Sequence, residues 1–490
     1  MPAPTFDNTY RRLPDDFYAS VSAQPAPEPS LVHLNTQLAA EVGLDAEWLR
    51  SEAGVAMLAG AAMPAEAEPI AMVYAGHQFG GWAPRLGDGR AALIGEVVNA
   101  AGDRLDLHLK GSGRTPYSRG GDGKAVLGPV MREYIVAEAM AALGVPTTRS
   151  LAVTTTGERV IRDGPEPGAV LARLAHSHVR VGTFQYFLGQ ERPGRIRQLA
   201  DYVIARHYPA LADESNPYRS LFEAVCQRQV ELVAQWMGLG FIHGVMNTDN
   251  MQIAGETIDY GPCAFMDTFH PLKVFSSIDR GGRYAYGNQP TIAIWNLTRL
   301  AECLLDLFAP AEDVAIAWVE EALARAQSHF GTVFSRRFQR KLGLVTEGIE
   351  GHDELVETTF SALTEGKVDF TLFFRRLTDL VQGGGEASLI ELFEERTVAE
   401  GWLERWRAQA EREPEPLEAR LEAMKTHNPI FIPRNHRVEE AIVAGNRGDF
   451  GPFRRLVEVL QQPFIEQREH ADLEAPPRPE EVVHQTFCGT

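Results

Sequence analysis

A short segment near the middle of the chain carries the residues whose types and spacing are best suited to chemistry. It reads His243-Gly244-Val245-Met246-Asn247-Thr248-Asp249-Asn250, and Asp259-Tyr260-Gly261 begins nine residues after Asn250. The side-chain oxygens of Asn250 and Asp259 are hard ligands of the kind that Mg²⁺ and Mn²⁺ prefer. A metal held there would neutralise charge on phosphate oxygens, which predicts a site for a nucleoside triphosphate and a divalent metal. The alternative is that these Asx residues only shape a turn, and the position of Asp259 argues against it.

The spacing within this segment matches the catalytic loop of protein kinases, where a histidine and an asparagine are also seven residues apart. Asp259-Tyr260-Gly261 is then a close analogue of the Asp-Phe-Gly that holds the metal in kinases. However, the position two residues after His243, where kinases have their base, is Val245, which cannot accept a proton. Two alternatives follow: the chain is a catalytically inactive relative, or Asp249 accepts the proton from a shifted position.

An alternating strand upstream ends in Lys110, and Glu133 follows 23 residues later, near the start of a predicted helix. The leucines of this strand share one face, so Lys110 lies on the other face and can point into a cleft. Kinases hold a strand lysine on the phosphates by pairing it with a helix glutamate. This arrangement favours Glu133 over Glu138, which lies further from the start of the helix.

Two glycine-rich segments and two arginines could also contact phosphates. The segments are Leu86-Gly87-Asp88-Gly89-Arg90 and Gly120-Gly121-Asp122-Gly123-Lys124. Their backbone N–H groups could cradle phosphates, although neither matches an established phosphate-loop pattern and plain tight turns are an alternative. Arg173 and Arg180 are suited to bidentate phosphate contact. Because His176 and His178 lack a third ligand at suitable spacing, packing or hydrogen-bonding roles are favoured for them.

The overall charge limits the classes of molecule that the protein is expected to bind. The chain has 490 residues, with 66 acidic against 47 basic side chains and a net charge of −19. An acidic surface argues against nonspecific binding to nucleic acid or anionic membranes, yet allows a local basic pocket. No signal peptide or membrane-spanning run is visible, and the four cysteines form no CxxC pair. We expect a cytoplasmic monomer with no nucleic-acid or membrane partner.

The predicted secondary structure changes once along the chain, from mostly strands to mostly helices. The first part has strands over 91–98, 104–110 and 170–174, a hairpin that turns at Thr156-Gly157, and a helix over 128–143. Beyond about residue 185 helices dominate, including one capped by Ser220 and one over 292–308, and the last 20 residues look extended and poorly anchored. The order predicts an α+β, protein-kinase-like, two-lobed fold, with a mostly antiparallel sheet carrying one key helix and a large helical second lobe.

Four regions follow from this pattern. They are an N-terminal extension that wraps the core (1–70), a first lobe with the phosphate loops (71–185), a second-lobe core with the catalytic and metal loops (186–310), and a helical extension and tail (311–490). A ligand cleft is expected where the two lobes meet, near residues 180–190.

Five stretches of the sequence resemble the selenoprotein O family of pseudokinase-related protein adenylyltransferases. They are Tyr74-Ala75-Gly76-His77-Gln78-Phe79-Gly80, Leu86-Gly87-Asp88-Gly89-Arg90, His108-Leu109-Lys110-Gly111-Ser112-Gly113, the segment 243–250, and Asp259-Tyr260-Gly261-Pro262. The resemblance runs from about residue 5 to the end. It is closest to bacterial, cysteine-containing members, because Cys488 stands where many members carry selenocysteine or cysteine.

The resemblance implies a kinase-like fold that holds ATP flipped relative to kinases, so that AMP passes to a Ser, Thr or Tyr hydroxyl of a protein. Asp249 would be the proton acceptor, and Asn250 and Asp259 would be ligands of Mg²⁺ or Mn²⁺. Lys110, Arg173 and Arg180 would bind phosphates, and Glu133 would steady Lys110. The remaining nucleotide contacts would come from Gly87, Gly89, Arg90, Asp122 and Gly123.

Several alternatives stay open from the sequence. A kinase-type phosphotransferase usually has Asp where this chain has Val245, and the retained metal pair argues against a non-catalytic nucleotide-binding scaffold. UTP could replace ATP, and the protein substrates are not named by the sequence. In some members of the family the tail cysteine is thought to bridge to the loop after the metal segment. Cys263 is the nearby candidate partner of Cys488 here, and a tail cysteine without a structural partner is the alternative.

Overall fold

The computed structural model describes residues 3–487, and its architecture is α+β, as predicted. The strands are β1 (Tyr18–Ser20), β2 (Ser30–Leu34), β3 (Ile70–Met72), β4 (Gly76–Gln78), β5 (Gly81–Ala83), β6 (Ala91–Val98), β7 (Arg104–Lys110), β8 (Ala125–Val126), β9 (Arg149–Ile161), β10 (Pro165–Ala175), β11 (Phe241–Ile242) and β12 (Ala264–Phe265). The α-helices are α1 (Thr36–Glu41), α2 (Ala46–Arg50), α3 (Glu52–Leu58), α4 (Leu127–Ala142), α5 (Val181–Gly189), α6 (Pro193–His207), α7 (Pro217–Gly238), α8 (Gln289–Phe308), α9 (Glu312–Lys341), α10 (His352–Glu365), α11 (Phe370–Val381), α12 (Ala387–Ile390), α13 (Arg396–Ala410), α14 (Leu417–His427), α15 (Asn435–Asn446) and α16 (Gly451–Leu460).

The main sheet is antiparallel, as predicted, with the strand order β1-β3-β6-β7-β10-β9-β2 and β8 against β10. The alternation along β7 puts Leu107 and Leu109 into a core on one face of the sheet. Its polar residues take the other face, where His108 lies opposite Arg173 of β10. Helix α4 packs against β9 and β10, and the rest of the chain is mostly helical. The sheet therefore delivers charged side chains from two adjacent strands to one place.

The hairpin predicted at Thr156-Gly157 is wrong. Strand β9 runs unbroken through both residues, and the chain reverses instead over residues 162–164. Gly157 has φ +77°, and the register with β10 shifts nearby, between Pro167 and Ala169. The glycine thus marks a bulge inside a strand, which the local sequence does not distinguish from a turn.

The predicted cap of α7 is also wrong. The helix begins at Pro217, and the side chain of Asn216 accepts a hydrogen bond from the N–H of Arg219. Ser220 lies inside the first turn and donates to the carbonyl of Asn216. An Asn cap followed by Pro at the first helical position is the stronger start signal, because proline's fixed φ suits that position and its missing N–H has no partner there.

The tail is better anchored than predicted, because Thr486 is buried beside the loop that follows β12. Its N–H donates to the carbonyl of Phe275 at 2.8 Å, and its carbonyl accepts from Ser277 at 3.1 Å. Its hydroxyl donates to the carbonyl of Pro262 at 2.6 Å. Cys488 lies outside the described residues, so the pairing of Cys263 with Cys488 stays a prediction.

Cys226 and Cys303 are buried in α7 and α8, where they pack in the hydrophobic core. Across residues 3–487, no helix combines the length and the apolar character needed to cross a membrane.

A buried ion cluster fastens the C-terminal helices to the rest of the molecule. The guanidinium of Arg434, just before α15, donates to Asp267 at 2.6 Å and to Asp369 at 2.8 Å. Asp369 also caps α11 by accepting from the N–H of Leu372. Arg434 is only 1% exposed. A cation so deeply buried is tolerated because two carboxylates surround it.

Replacing Arg434 by Met should lower the free energy of unfolding by about 3–5 kcal/mol, because Asp267 and Asp369 then lose their shared cation. Chemical denaturation followed by circular dichroism measures this loss. Arg468→Met, at a side chain that is 86% exposed, is the matched control and should change stability little. Equal stability of the two variants would contradict this account of the cluster.

Candidate nucleotide and metal site

Residues 243–250 and the segment Asp259-Tyr260-Gly261 lie in one long loop between β11 and β12, which pair antiparallel. His243 holds the two parts of this loop together. Its Nε2 lies 2.9 Å from the carbonyl oxygen of Ile258, and its ring stacks on Trp236 with centroids 5.3 Å apart. Its backbone N–H donates to Gln289 of α8. The histidine therefore stabilises the loop from within.

Asp259 is the centre of the site. Its Oδ1 accepts from Lys110 at 2.6 Å and from Arg173 at 2.8 Å, and its Oδ2 accepts from Arg180 at 3.0 Å. Glu133 accepts from Lys110 at 2.6 Å and from Arg173 at 2.8 Å, so the predicted lysine–glutamate pair is present. Burial raises the pKa of Asp259, but the attraction of Lys110, Arg173 and Arg180 outweighs it and holds that pKa well below the usual range.

The backbone of Asp259 is in the left-handed region, with φ +63°. The N–H of Gly261 donates to the Asp259 carbonyl at 2.8 Å, which closes a tight turn. Aspartate tolerates this conformation better than most residues, and such strain is commonly found at functional sites. The turn directs the carboxylate towards the three cations.

Arg180 joins Asp259 to the neighbouring Asp249. The Nη1 atom that binds Asp259 also donates to the backbone carbonyl of Asp249 at 2.7 Å. The Asp249 side chain is buried, and burial raises its pKa to about 6, against lowering contributions from Gln78 and Arg180. The side chain of Asn250 donates to the carbonyl of Val245 at 2.9 Å, which fixes its amide and leaves Oδ1 without a hydrogen bond among the described residues.

The glycine-rich segments also line this cleft. Gly87 has φ +81°, and a Cβ there would lie 2.5 Å from the ring of Tyr117. Gly123 has φ +69°, and a Cβ there would strike the carbonyl of Gly113. The carboxylate of Asp122 accepts a bidentate pair from Arg162 at 2.9 and 3.0 Å. Both glycines are therefore required by backbone geometry as well as by close approach.

The cleft has a volume of about 910 Å³, within the usual range for small-molecule sites. The sequence-predicted residues that line it are Gly87, Gly89, Arg90, Lys110, Asp122, Gly123, Arg173, Arg180, Asp249, Asn250 and Asp259. Glu133 lies behind Lys110 and is 5% exposed. The structure thus brings together, around one cavity, residues that are far apart in the sequence.

The further lining residues include Tyr74, Gln78, Asp88 and Arg162, to which the sequence assigned no individual role. The guanidinium of Arg180 lies over the ring of Tyr74, 4.5 Å from its centroid. Gln78 donates to Asp249 across a separation of 171 residues. Tyr74, Gln78 and Asp88 fall within the family-resembling stretches at 74–80 and 86–90, but no spacing rule connects them to residues 243–250.

The histidines near the site make hydrogen bonds, as predicted. His178 lies 3.0 Å from Asp106 through Nδ1, and His176 lies 2.6 Å from Glu256. His178 also stacks on His108, whose Nδ1 accepts from Arg173 at 3.2 Å. Burial lowers the pKa of His178 to about 3, so the ring is neutral.

The donor set fits Mg²⁺ or Mn²⁺ only together with phosphates. Within residues 3–487 no group of three or more His, Cys, Asp or Glu side chains could hold a metal. Asn250 and Asp259 would supply two oxygen ligands, and such ions commonly take the rest from phosphates and water. The three cations are already balanced by Glu133, Asp259 and Asp88, whose Oδ1 is 3.7 Å from Arg180. A triphosphate added to this cluster would therefore bring negative charge that a divalent cation could offset.

The fold and this cleft define a class of α+β protein whose ligand cleft contains a buried cluster of three cations, an arrangement suited to phosphate groups. The family model described as "Protein adenylyltransferase SelO" matches residues 3–461. A "Protein nucleotidyltransferase YdiU" from Rhizobium meliloti (strain 1021) is 54% identical over 496 residues, covering 100% of both chains. Proteins of the same name from Bradyrhizobium sp. (strain BTAi1) and Rhodopseudomonas palustris (strain BisB5) are each 54% identical, covering 99% of both chains. The chain belongs to the SelO family of protein adenylyltransferases, as its motifs indicated.

Lys110→Met should weaken binding of inorganic tripolyphosphate, measured by calorimetry with Mn²⁺ present, by about 10- to 100-fold. The variant loses one charged hydrogen-bond donor and leaves Glu133 and Asp259 to repel the anion. Lys425→Met, on the exposed side of α14, is the control and should bind like the wild type. Unchanged affinity in Lys110→Met would remove Lys110 from the phosphate site.

Proposed function

We propose that this protein transfers AMP from ATP to Ser, Thr or Tyr hydroxyls of other proteins, in a reaction that requires Mg²⁺ or Mn²⁺. The observation that carries the proposal is the pairing of Asp249 with Asp259 through one guanidinium, in a cleft where Val245 occupies the position of the kinase base. Asp249 thus lies beside the aspartate that would bind the metal, four residues after the position at which kinases have their base. The family to which the chain belongs supports nucleotidyl transfer.

The sheet with α4 and the following helical part would correspond to the two lobes of a kinase, with the cleft between them. Support comes from the pairing of Lys110 on β7 with Glu133 on α4, and from the catalytic and metal loops between β11 and β12. In this arrangement ATP would lie flipped, so that its α-phosphorus faces Asp249. The glycine-rich segments, Arg90 and Asp122 would contact the remaining part of the nucleotide.

Each charged residue would have one task. Lys110, Arg173 and Arg180 would bind phosphate oxygens, and Glu133 would keep Lys110 and Arg173 in place. Asn250 and Asp259 would hold Mg²⁺ or Mn²⁺, which supplies charge neutralisation at the phosphates when bound.

Asp249 would take the proton of the acceptor hydroxyl. As the hydroxyl oxygen bonds to the α-phosphorus, the bond from that phosphorus to the bridging oxygen breaks and pyrophosphate leaves. The proton lost by the hydroxyl resides on the Asp249 carboxylate.

Transfer of a radioactive label to dephosphorylated casein tests the proposal. With Mn²⁺, the protein should be labelled by ATP carrying ³²P at the α-position and not by ATP carrying it at the γ-position. Label from the γ-position would show a kinase instead, and tight ATP binding without any transfer would show a scaffold. Competition by unlabelled UTP as effective as that by unlabelled ATP would show that the base is not selected.

Two variants test the roles assigned to Asp259 and Asp249. Asp259→Ala should abolish transfer, because it removes a metal ligand and the anion shared by three cations. Asp249→Asn should keep ATP binding but lower kcat by roughly 10²–10⁴-fold, the usual contribution of a general base. Full activity in either variant would contradict its assignment.

A further inference from the structure

The hairpin formed by β4 and β5 lies directly over the catalytic loop, and neither the motifs nor the proposed chemistry gives it a task. The N–H of His77 donates to the hydroxyl of Thr248 at 2.7 Å. The next residue, Gln78, donates from Nε2 to Oδ2 of Asp249 at 3.1 Å. The hairpin thus contacts the carboxylate that would take the proton.

The two oxygens of Asp249 have different surroundings. Oδ1 is buried and has no hydrogen-bond partner within residues 3–487. It faces the backbone of Gly76, where a Cβ would lie only 2.5 Å away. Oδ2 is the oxygen bound by Gln78, and Gln78 lines the cleft. An acceptor hydroxyl can therefore reach Asp249 only at Oδ2, from the side on which the Gln78 carboxamide lies.

The carboxamide oxygen of Gln78 is available to accept a hydrogen bond. Its Nε2 is bound to Asp249, and its Oε1 makes no hydrogen bond within the described part of the chain. The side chain is half-buried and borders the cleft. Since an amide group offers both donors and an acceptor, Oε1 can accept a hydrogen bond from an incoming molecule.

The backbone next to Gln78 is held firmly. Phe79 has φ +51°, an uncommon conformation for a bulky residue. Its N–H donates to Asn247 Oδ1 at 3.0 Å and lies 3.1 Å from the hydroxyl of Tyr284, which itself donates to Asn247 at 2.7 Å. These contacts maintain the strained conformation and fix the direction of the Gln78 side chain.

We propose that Gln78 is the positioning residue for the protein acceptor. Its Nε2 orients Oδ2 of Asp249 towards the cleft, and its Oε1 accepts a hydrogen bond from a backbone N–H of the acceptor segment. The hydroxyl of that segment then donates to Oδ2. The inference rests on the proposed transfer and on Asp249 as the proton acceptor, and it adds where the acceptor binds.

Gln78→Met, which keeps the length of the side chain but removes both hydrogen bonds, tests this inference. We expect kcat for labelling of dephosphorylated casein to fall by about 10- to 100-fold, because a misplaced reactant loses that order of rate. The KM for casein should rise, while the KM for ATP and the melting temperature stay near wild-type values.

A second variant, Gln78→Glu, places a like charge beside Asp249, and its kcat should fall by at least as much. Gln37→Met is the control, since Gln37 is exposed on α1 and bonded to Glu41.

A double variant separates this inference from the function on which it rests. If Nε2 of Gln78 acts on kcat through Asp249, then the kcat of Gln78→Met combined with Asp249→Asn should be no lower than that of Asp249→Asn alone, whereas the KM for casein should still rise because Oε1 is lost. Losses of kcat that multiply would show that Gln78 acts independently and would overturn the inference. If Asp249→Asn is slow and Gln78→Met is normal, the inference alone fails. Full activity in Asp249→Asn would remove the proton acceptor and the inference together.

Discussion

The carboxylate of Asp259 is shared by Lys110, Arg173 and Arg180, and much of the structure depends on that contact. The three cations come from β7, from β10 and from the residue before α5, whereas Asp259 comes from the loop between β11 and β12. Burying three cations together is costly unless anions lie among them. The contact therefore joins the sheet to the helical part at the point where the nucleotide would bind.

This contact also explains why a metal and a nucleotide would bind together. The charges of the cluster balance one another, so a phosphate chain alone would bring excess negative charge and a divalent ion alone would compete with the cations for Asp259. Together they offset each other. The φ of +63° at Asp259 and the contact of His243 with the Ile258 carbonyl hold this carboxylate in place. In that position it can bind either the three cations or a divalent metal.

The sequence predicted the α+β class, the order of its parts and the main strands, because these follow from hydrophobic periodicity and from glycine and proline signals. The lysine–glutamate pair was predicted by its order relative to the metal loop, and the distance of 2.6 Å confirms it. Local signals were weaker at Gly157, where a bulge and a turn share the same residue type. Gln78 could not be found, since its contact with Asp249 depends on a hairpin that folds back over 171 residues. Thr486 was missed because one buried residue leaves no periodic pattern in the sequence.

The most direct measurement is a crystal structure of the protein with Mn²⁺ and a non-hydrolysable ATP analogue, with the metal located by anomalous scattering. The account predicts manganese bound to Asn250 Oδ1 and Asp259, with Lys110 and Arg173 turned to the phosphates and the α-phosphorus nearest Asp249. Manganese bound away from both Asn250 and Asp259, or a γ-phosphate beside Asp249, would contradict it.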